Sequence, residues 1–274
     1  MSLKNSLILG FILCIHLNLS AQNDSTQSFG QSIIRIPPTI WGDFKSVVTM
    51  PFEWSDADWA VAAVWSSGGG MVFLKDREIL DIVRKSQSPV MDDLSKYIFE
   101  PTGSGLISLP LMGALWAGGQ ISHNNRLAKT SLLATRAWMM SFLSTGGLKL
   151  LIHRARPYES DNPMDFEGPA LSTSNISFPS GHTATAFAAA TVFATEYNDQ
   201  PLVGIAAYSL AGLVGLSRIY DGEHWPSDVI FGAAVGYAIG RTLSKKHISK
   251  SGKQWTLFPV SDGNSAQICL DIQF

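Results

Sequence analysis

Residues 217–228 of this sequence combine side chains that could act together on an anionic group. They read Ser-Arg-Ile-Tyr-Asp-Gly-Glu-His-Trp-Pro-Ser-Asp and lie between two uncharged apolar runs. Pro226 suits the first turn of a helix, on which His224 and Asp228, four residues apart, would share one face. A carboxylate beside an imidazole fixes its tautomer and stabilises its cation, as a nucleophilic or basic histidine requires. Arg218 adds a permanent positive charge, although the stretch taken alone also fits a capped helix start without a catalytic role.

Two further stretches add positive charge and a helix start that could bind an anion. One reads Lys-Leu-Leu-Ile-His-Arg-Ala-Arg-Pro, and its Lys149 and Arg156, seven residues apart, lie almost above one another on a helix. The other reads Pro-Ser-Gly-His and precedes a helix-like run rich in alanine and threonine. Ser180 is a natural N-cap at that point, and Gly181 lets backbone N–H groups approach an anion.

In this order and spacing, the three stretches resemble the type 2 phosphatidic acid phosphatase superfamily, which also contains bacterial acid phosphatases and vanadium haloperoxidases. The motifs of that family are Lys-x6-Arg-Pro, Pro-Ser-Gly-His and Ser-Arg-x5-His-x3-Asp. This sequence matches every fixed position between Lys149 and Asp228, and its flanking apolar segments fit the helical bundle of the family more loosely. One such motif is weak evidence, but agreement of all three in order is improbable by chance.

The resemblance implies a reaction at phosphorus and a role for each motif residue. His224 attacks phosphorus to form a phosphohistidine, Asp228 orients His224, and His182 protonates the departing oxygen before it activates water. Positive side chains and backbone N–H groups neutralise the non-bridging oxygens. The residues that would bind the phosphate are Lys149, Arg156, Ser180, Gly181 and Arg218. The scheme needs no metal ion or other cofactor, and the sequence has no conspicuous carboxylate or histidine cluster that would hold a metal.

These features predict a metal-independent phosphatase acting on a phosphate ester or pyrophosphate of an envelope lipid, such as a phosphatidate-like, isoprenoid or lipid A phosphate. Three alternatives stay open. A soluble periplasmic acid phosphatase of broad specificity would use the same residues. A vanadium-dependent haloperoxidase would bind vanadate in the same pocket, although this chain is short for such an enzyme. A membrane scaffold would show no turnover on any phosphomonoester or pyrophosphate.

The elements that must bring these residues together are helices. Apolar runs rich in Ala, Gly, Leu and Ser, separated by short polar turns, occur at residues 105–122, 131–152, 183–196, 202–217 and 227–243. They predict an all-α fold, a bundle of about five to six core helices. With up-down connectivity, the first motif ends one helix, the second begins the next, and the third follows a returning helix. All three motifs therefore meet at one end of the bundle.

Composition leaves membrane insertion open. The chain has 274 residues, a formal net charge of −2, 46% hydrophobic and 15% charged residues, and a mean hydropathy of +0.13. These values lie between those of soluble and polytopic membrane proteins. The near-neutral charge gives no reason to expect a nucleic-acid partner.

Charge distribution favours insertion in the inner membrane, with the active end facing the periplasm. Basic residues lie at the opposite end of the predicted bundle, where they would be cytoplasmic. They are Arg126, Lys129, Arg241, Lys245 and Lys246. The alternative is a soluble periplasmic bundle, because several runs are shorter than the roughly 20 residues that a membrane span needs.

The N-terminus predicts export. Lys4 precedes an apolar run at residues 7–17, and small residues then lead into a polar stretch, which is the pattern of a secretory signal peptide. We expect residues 1–21 to be removed by cleavage after Ala21. Cys14 lies in that segment, so the mature chain would keep only Cys269 and could form no intramolecular disulfide.

The other predicted parts are a polar lead-in at residues 22–57 without sustained periodicity, a helical phosphatase domain at 58–248, and a strand-like C-terminal tail or hairpin at 249–274. Ser55 and the acidic residues after it predict a helix start, and three consecutive glycines at 68–70 predict the end of that helix. The charged segment 75–85 predicts an amphipathic surface helix.

Some charged and polar residues near the motifs have no assigned catalytic role. His153 and Arg154 lie inside the first motif at positions that the family leaves variable, and we expect them to be interfacial or structural. Arg136, inside an apolar run, requires an acidic partner or a helix that does not face lipid. Residues expected to shape the entrance to the site are Tyr158, Asp221, Glu223 and Trp225.

Overall fold

The computed structural model describes residues 36–172, 174–249, 254–261 and 266–273. The predicted signal peptide at residues 1–21, and the first part of the lead-in, lie outside these residues. The chain divides into two units, residues 1–42 and 43–274. All three motifs belong to the second unit.

The segment ahead of the triple glycine is helical. Helix α1 spans Ile36–Thr49, a 3-10 helix spans Met50–Glu53, and helix α2 spans Asp56–Phe73. The lead-in, which was predicted from its lack of periodicity to contain no helix, is therefore helical over residues 36–53. Ser55 caps α2 as predicted, because its hydroxyl accepts a hydrogen bond from the N–H of Asp58, whose carboxylate accepts one from the N–H of Ser55.

Helix α2 continues through the three glycines that were predicted to end it. It reaches Phe73, three residues beyond Gly70. Gly69 is buried, and a Cβ atom at this position would lie 2.9 Å from the ring of Phe231. This glycine therefore permits a close contact between helices, and the packing outweighs the low helix propensity of glycine.

Four short helical segments follow: α3 at Asp76–Arg84, α4 at Pro89–Leu94, a π-helix at Ser95–Phe99 and α5 at Glu100–Gly103. Helix α3 corresponds to the predicted amphipathic segment. Its Leu80 is fully buried in a cluster with Ile219, Trp225 and Val229. The charged helix therefore packs directly against the third motif.

Five longer helices form the bundle, and they correspond to the predicted apolar runs. They are α6 at Ser108–Ile121, α7 at Asn125–Ile152, α8 at Gly181–Glu196, α9 at Pro201–Tyr220 and α10 at Pro226–Ser249. Helix α8 packs against α7, α9 and α10. The predicted all-α bundle is confirmed.

A glycine stripe on α10 brings this helix close to α8. Gly232, Gly236 and Gly240 lie one turn apart, and each faces a backbone oxygen or a side chain of the segment 180–191. A Cβ atom at Gly240 would lie 2.6 Å from the carbonyl oxygen of Ala188, and one at Gly236 would overlap the carbonyl oxygen of Ala184. Only residues without a side chain allow this spacing.

Arg136, the partly buried cation of α7, has an acidic partner. The Nε and Nη2 atoms of Arg136 donate hydrogen bonds of 2.6 Å each to the two carboxylate oxygens of Asp43. This two-point ion pair explains why an arginine is stable inside an apolar run.

Among the described helices, α9 is long and apolar enough to cross a membrane, although a core helix of a soluble protein can pass the same test. One side of α9 contributes the buried residues Ala211 and Val214. Large apolar side chains on the other side are between 42% and 79% exposed, namely Leu202, Ile205, Leu213 and Leu216.

Two strands follow the bundle. Strand β1 spans Gln254–Ser261 and strand β2 spans Ala266–Gln273. They pair antiparallel, with Gln254 opposite Gln273 and Ser261 opposite Ala266. The strand-like tail predicted from the sequence is thus a β-hairpin.

Candidate active site

The loop between α9 and α10 presents His224 at one end of the bundle. The N–H groups of Glu223 and His224 both donate to the carbonyl oxygen of Arg218, at 3.0 and 3.2 Å, and Gly222 has a positive φ of 68° that only glycine adopts freely. The fully buried Trp225 donates its indole N–H to the carbonyl oxygen of Ala155 at 2.8 Å. These bonds fix the loop against the segment that follows α7.

His224 and Asp228 form a buried pair. The Nδ1 atom of His224 lies 3.7 Å from Oδ2 of Asp228, and both side chains are at most 4% exposed. The hydroxyl of Ser177 donates to the same carboxylate oxygen at 2.5 Å and lies 3.4 Å from Nδ1 of His224. A proton held on Nδ1 by these oxygens leaves the lone pair on Nε2, which is the arrangement that a nucleophilic imidazole needs.

Arg154 holds the carboxylate of Asp228 in place. Its Nη1 atom donates to Oδ1 of Asp228 at 2.5 Å and to the hydroxyl of Ser227 at 2.8 Å, and its Nη2 atom donates to Asp76 at 2.6 Å. Asp76 in turn accepts hydrogen bonds from the N–H and the hydroxyl of Ser227. Arg154, Asp76 and Asp228 have no exposed side-chain surface. The arginine therefore joins helix α3 to the first turn of α10.

The expectation that Arg154 is structural misses its direct contact with Asp228. Three further residues that touch the motif residues were also not singled out as site residues: Asp76, Ser177 and Glu100. The arginine side chain is enclosed by aromatic rings, with its guanidinium carbon 4.9 Å from the ring of Phe73 and 5.5 Å from that of Trp225. Of these four residues, only Arg154 could have been singled out from the sequence, because it is a charged residue inside a motif.

The two predicted phosphate-binding arginines converge on one anionic group. The carboxylate of Glu223 accepts a hydrogen bond from Nη1 of Arg156 and lies 3.9 Å from Nη2 of Arg218. Nη1 of Arg218 also lies 3.2 Å from Asp221. The Nε atom of Arg218 is buried and, within the described residues, has no hydrogen-bond partner. A phosphate oxygen would supply the acceptor that this donor lacks.

Lys149 lies beside the start of α8. Its ammonium group donates to the carbonyl oxygens of Ile176 and, at 3.3 Å, Ser177. A Cβ atom at Gly181 would lie 3.9 Å from Cε of Lys149. The lysine of the first motif and the helix start of the second are therefore adjacent, as the up-down connectivity predicted.

Ser180 occupies the N-cap position of α8 but does not cap it in the expected way. Its side chain makes no capping hydrogen bond to the backbone and accepts one from the hydroxyl of Thr183 at 2.9 Å. Its N–H donates to the carbonyl oxygen of Asp228 at 3.0 Å and so is not directed at a ligand. The N–H groups of Gly181 and His182, in the first turn of α8, have no intrahelical acceptor and are the ones suited to bind an anion.

His182, in the first turn of α8, is the second imidazole of the site. Its buried Nε2 atom has no hydrogen-bond partner within the described part of the chain, and a carboxylate oxygen of Glu100 lies 3.5 Å away. An imidazole nitrogen without a partner can exchange a proton with a substrate oxygen.

Burial and neighbouring cations keep both histidines neutral. Burial lowers the pKa of His224 to about 3, against the raising effect of Asp228. Burial, together with the positive charge of Arg218, lowers the pKa of His182 to about 3. Both imidazoles are therefore unprotonated near neutral pH while no anion occupies the site.

The structure brings all eight predicted site residues to one end of the bundle. They are Lys149, Arg156, Ser180, Gly181, His182, Arg218, His224 and Asp228. The described residues contain no group of three or more His, Cys, Asp or Glu side chains that could hold a metal ion.

Comparison with known proteins identifies a matching family model and several relatives. Residues 130–249 match the model of the PAP2 superfamily. A lipid A 1-phosphatase of Porphyromonas gingivalis is 52% identical over 69 residues, which are 25% of this chain and 16% of that protein. A lipid A 1-phosphatase of Rhizobium etli is 38% identical over 94 residues, or 32% of this chain and 38% of that protein. The chain thus spans less than two fifths of the length of either relative.

A solved structure shares the fold. The transmembrane PAP2-type phosphatidylglycerolphosphate phosphatase of Bacillus subtilis superposes with a TM-score of 0.51 at 22% identity. The superposition covers 78% of this chain and 97% of the Bacillus chain. The segment 130–249 of this chain is therefore similar to the PAP2 superfamily, and the chain shares its fold with the Bacillus phosphatase.

Proposed function

We propose that this protein is a phosphatase that removes phosphate from a lipid of the bacterial envelope through a phosphohistidine intermediate. One observation carries the proposal. A buried, neutral imidazole backed by a carboxylate lies at the same end of the bundle as two arginines that converge on an anionic group. This combination supplies a nucleophile and charge neutralisation for a phosphoryl group.

The first step would transfer the phosphoryl group to the protein. Lys149, Arg156 and Arg218 bind the non-bridging oxygens, and Nε2 of His224 attacks phosphorus as the bond to the lipid oxygen breaks. His182 gives a proton to the departing oxygen. Asp228 stabilises the positive charge that develops on the ring of His224.

The second step would release phosphate. Neutral His182 takes a proton from water, the water oxygen attacks phosphorus, and the bond to His224 breaks. Burial and, after it, nearby cations lower the pKa of His182. A bound phosphate adds negative charge that offsets the cations, so substrate binding raises this pKa and favours the protonated acid needed in the first step. No step is routed through a metal ion.

Two observations support a lipid substrate. The candidate span α9 exposes several leucine and isoleucine side chains, and a face of this kind suits hydrocarbon. The two lipid A 1-phosphatases are relatives over 69 and 94 residues of the chain. We infer a phosphate monoester on an apolar carrier, with a lipid A-type sugar 1-phosphate as the first candidate and phosphatidate-like and isoprenoid phosphates as the next.

The proposed orientation places the active end on the periplasmic side of the inner membrane. Basic residues lie at the opposite ends of the helices, with Arg126 at the start of α7 and Arg241 and Lys245 near the end of α10. An excess of lysine and arginine marks the cytoplasmic side of membrane proteins.

Phosphate release by purified protein tests the mechanism. We expect His224→Ala to abolish turnover. Rapid quenching of a reaction with labelled substrate should show an acid-labile label on the wild-type protein but not on the variant. His123→Asn is the matched control, because His123 is exposed and lies outside the site in a positive-φ position that asparagine tolerates. A His224→Ala protein that releases phosphate at the wild-type rate would refute the proposal.

A substrate panel tests the lipid assignment. Lipid A-type, phosphatidate and isoprenoid phosphates are compared in detergent with a water-soluble phosphate ester, each with and without a chelator. We expect faster hydrolysis of a lipid phosphate and no effect of the chelator. Equal or faster hydrolysis of the soluble ester would favour the broad-specificity acid phosphatase instead.

A further inference from the structure

A second cavity lies away from the phosphate site. It has a volume of about 700 Å³ and lies between the segment 45–54, the first half of α2 and the second half of α10. Its lining begins at Ala234 of α10, six residues beyond Asp228, and extends to Lys246. At 1.5 Å per residue, the far edge is roughly 27 Å along the helix axis from Asp228. The cavity therefore shares no lining residue with the catalytic pair.

The inner wall of the cavity is apolar. It is built mainly from aromatic, aliphatic and methionine side chains, namely Met50, Trp54, Val61, Ala62, Trp65, Val235 and Ala238. The ring of Trp65 lies 6.3 Å from that of Tyr237. Apolar cavities of about this size bind small apolar molecules or hydrocarbon chains.

Positive charges predominate among the polar lining residues. Four cations and two carboxylates line the cavity, namely Lys45, Arg241, Lys245 and Lys246 with Glu53 and Asp58. Asp58 accepts hydrogen bonds from Arg241 at 2.9 Å and from Lys245 at 2.8 Å. The arginine and the lysine remain 40% and 49% exposed. The formal excess of two positive charges suits an anionic group at the solvent side.

The same chain segments carry apolar side chains on their outer surface. Phe52 is 90% exposed, Val64 74%, Val48 57% and Trp59 52%. Exposed aromatic and aliphatic residues beside lysine and arginine are typical of the boundary between membrane and water. This favours a membrane lipid as the occupant over a soluble anion.

From the cavity, its charge and its apolar surroundings, we propose that this region binds one anionic phospholipid, with its phosphate at the basic residues and part of an acyl chain against the apolar wall. Hydrocarbon burial and charge neutralisation would each contribute to the binding. The site is separate from the proposed reaction, because a phospholipid with a phosphodiester headgroup has no terminal phosphate to remove.

Native mass spectrometry of the detergent-solubilised protein tests the proposal. The probes are phosphatidylglycerol, phosphatidylcholine with the same acyl chains, and glycerol phosphate as the headgroup without chains. We expect one retained phosphatidylglycerol and at least tenfold weaker binding of the other two. The catalytic variant His224→Ala should retain the lipid equally well, which separates this site from the proposed active site.

Two variants remove the lipid in different ways. Lys45→Glu cancels the formal charge excess, and Ala238→Trp fills the apolar part of the cavity. We expect each to weaken phosphatidylglycerol binding at least tenfold while phosphate release shows that the protein is folded. The matched controls, Lys96→Glu and Ala206→Trp, change exposed residues on other helices. Wild-type affinity in both cavity variants, or equal binding of the zwitterionic lipid, would overturn the proposal.

Discussion

Arg154 sets the position of the proposed catalytic pair, His224 and Asp228, through its contact with Asp228. Its two nitrogens Nη1 and Nη2 contact the buried carboxylates of Asp228 and Asp76, and no other lysine or arginine of the described residues forms an ion pair with either carboxylate. Two carboxylates enclosed in this way can stay ionised only because the arginine neutralises their charge. The arginine therefore acts on His224 through Asp228, as a positioning residue.

We expect Arg154→Lys to lower kcat about 10–100-fold with KM changed less than threefold, because a lysine cannot contact both carboxylates in the same planar geometry. Steady-state kinetics on the folded fraction measure this split. Arg77→Lys is the control, since Arg77 forms an exposed ion pair with Asp161 on the neighbouring surface. A variant in which KM rises and kcat stays constant would contradict the positioning role.

The buried neutral state of His224 makes stability depend on pH. Its pKa is about 3 in the folded protein and about 6.5 when unfolded, so only the unfolded chain takes up this proton between those values. Stability from this group is complete above pH 6.5 and is lost as the pH falls toward 3.

His224→Gln removes the titrating group. Below pH 6.5, the free energy of unfolding of the wild type should therefore fall, relative to that of the variant, by about 1.4 kcal/mol for each pH unit. Denaturant unfolding in detergent at several pH values measures the difference. A constant difference between pH 6.5 and 4.5 would show that His224 is not held neutral by the fold.

The site residues that could be predicted from sequence are those whose spacing carries information. His224 lies four residues before Asp228, which is in the first turn of α10, so short spacing brings this pair together. The expectation that Lys149 and Arg156 lie above one another on a helix is wrong, because α7 ends at Ile152 and His153 turns the chain with a positive φ of 42°. The contact between Arg154 and Asp76 joins residues 78 positions apart. No local pattern reports such a contact, because burial of the pair depends on how α3 packs against the bundle.

At the level of elements, the spacing between α8 and α10 depends on glycine. A methyl group at Gly236 would overlap the backbone oxygen of Ala184, which cannot rotate away as a side chain does. Any substitution must therefore separate the two helices that carry His182 and Asp228.

We expect Gly236→Ala to destabilise the protein by at least about 1–3 kcal/mol, the usual cost of overpacking, and to lower activity because the two motifs move apart. Gly212→Ala in α9 is the matched control, since a Cβ atom there has no neighbour within 4 Å. That control should be neutral or stabilise by about 0.5–1 kcal/mol through helix propensity. The thermal unfolding midpoints of the two variants measure this difference. Equal midpoints for Gly236→Ala and Gly212→Ala would argue against the close contact between α8 and α10.

The two elements that were predicted wrongly show where local rules fail. The glycines of α2 were expected to end the helix, but Gly69 faces Phe231 and the helix gains a contact that an isolated segment lacks. Helix α1 was not predicted, because residues 22–57 show no sustained periodicity. Pro37 and Pro38 lie in its first turn, where a missing N–H group costs nothing. The five bundle helices were predictable because a long apolar run indicates a helix more strongly than a single glycine or proline argues against one.

At the scale of the whole molecule, the outer surface is as informative as the site. Exposed leucine and isoleucine side chains follow one side of α9, and further apolar residues lie on the 3-10 segment and α2. Soluble monomers rarely expose contiguous apolar surface of this kind. This surface supports the proposed lipid environment independently of the motifs.

We expect the protein expressed in bacteria to stay with the membrane fraction after washes with high salt and with alkaline carbonate, and to be released by detergent. Exposed leucines that contact hydrocarbon resist both washes, because neither removes hydrophobic contacts. Immunoblots of the fractions measure the distribution. Release by salt alone would favour the soluble periplasmic alternative.

Glu223 has a consequence for the end of the proposed reaction. Its carboxylate contacts the guanidinium groups of both Arg156 and Arg218 and is an internal counterion to them. An incoming phosphoryl group must displace this side chain, and the side chain can return as inorganic phosphate departs. Such an exchange would shorten the residence time of the product and keep the enzyme from being blocked by the phosphate that it generates.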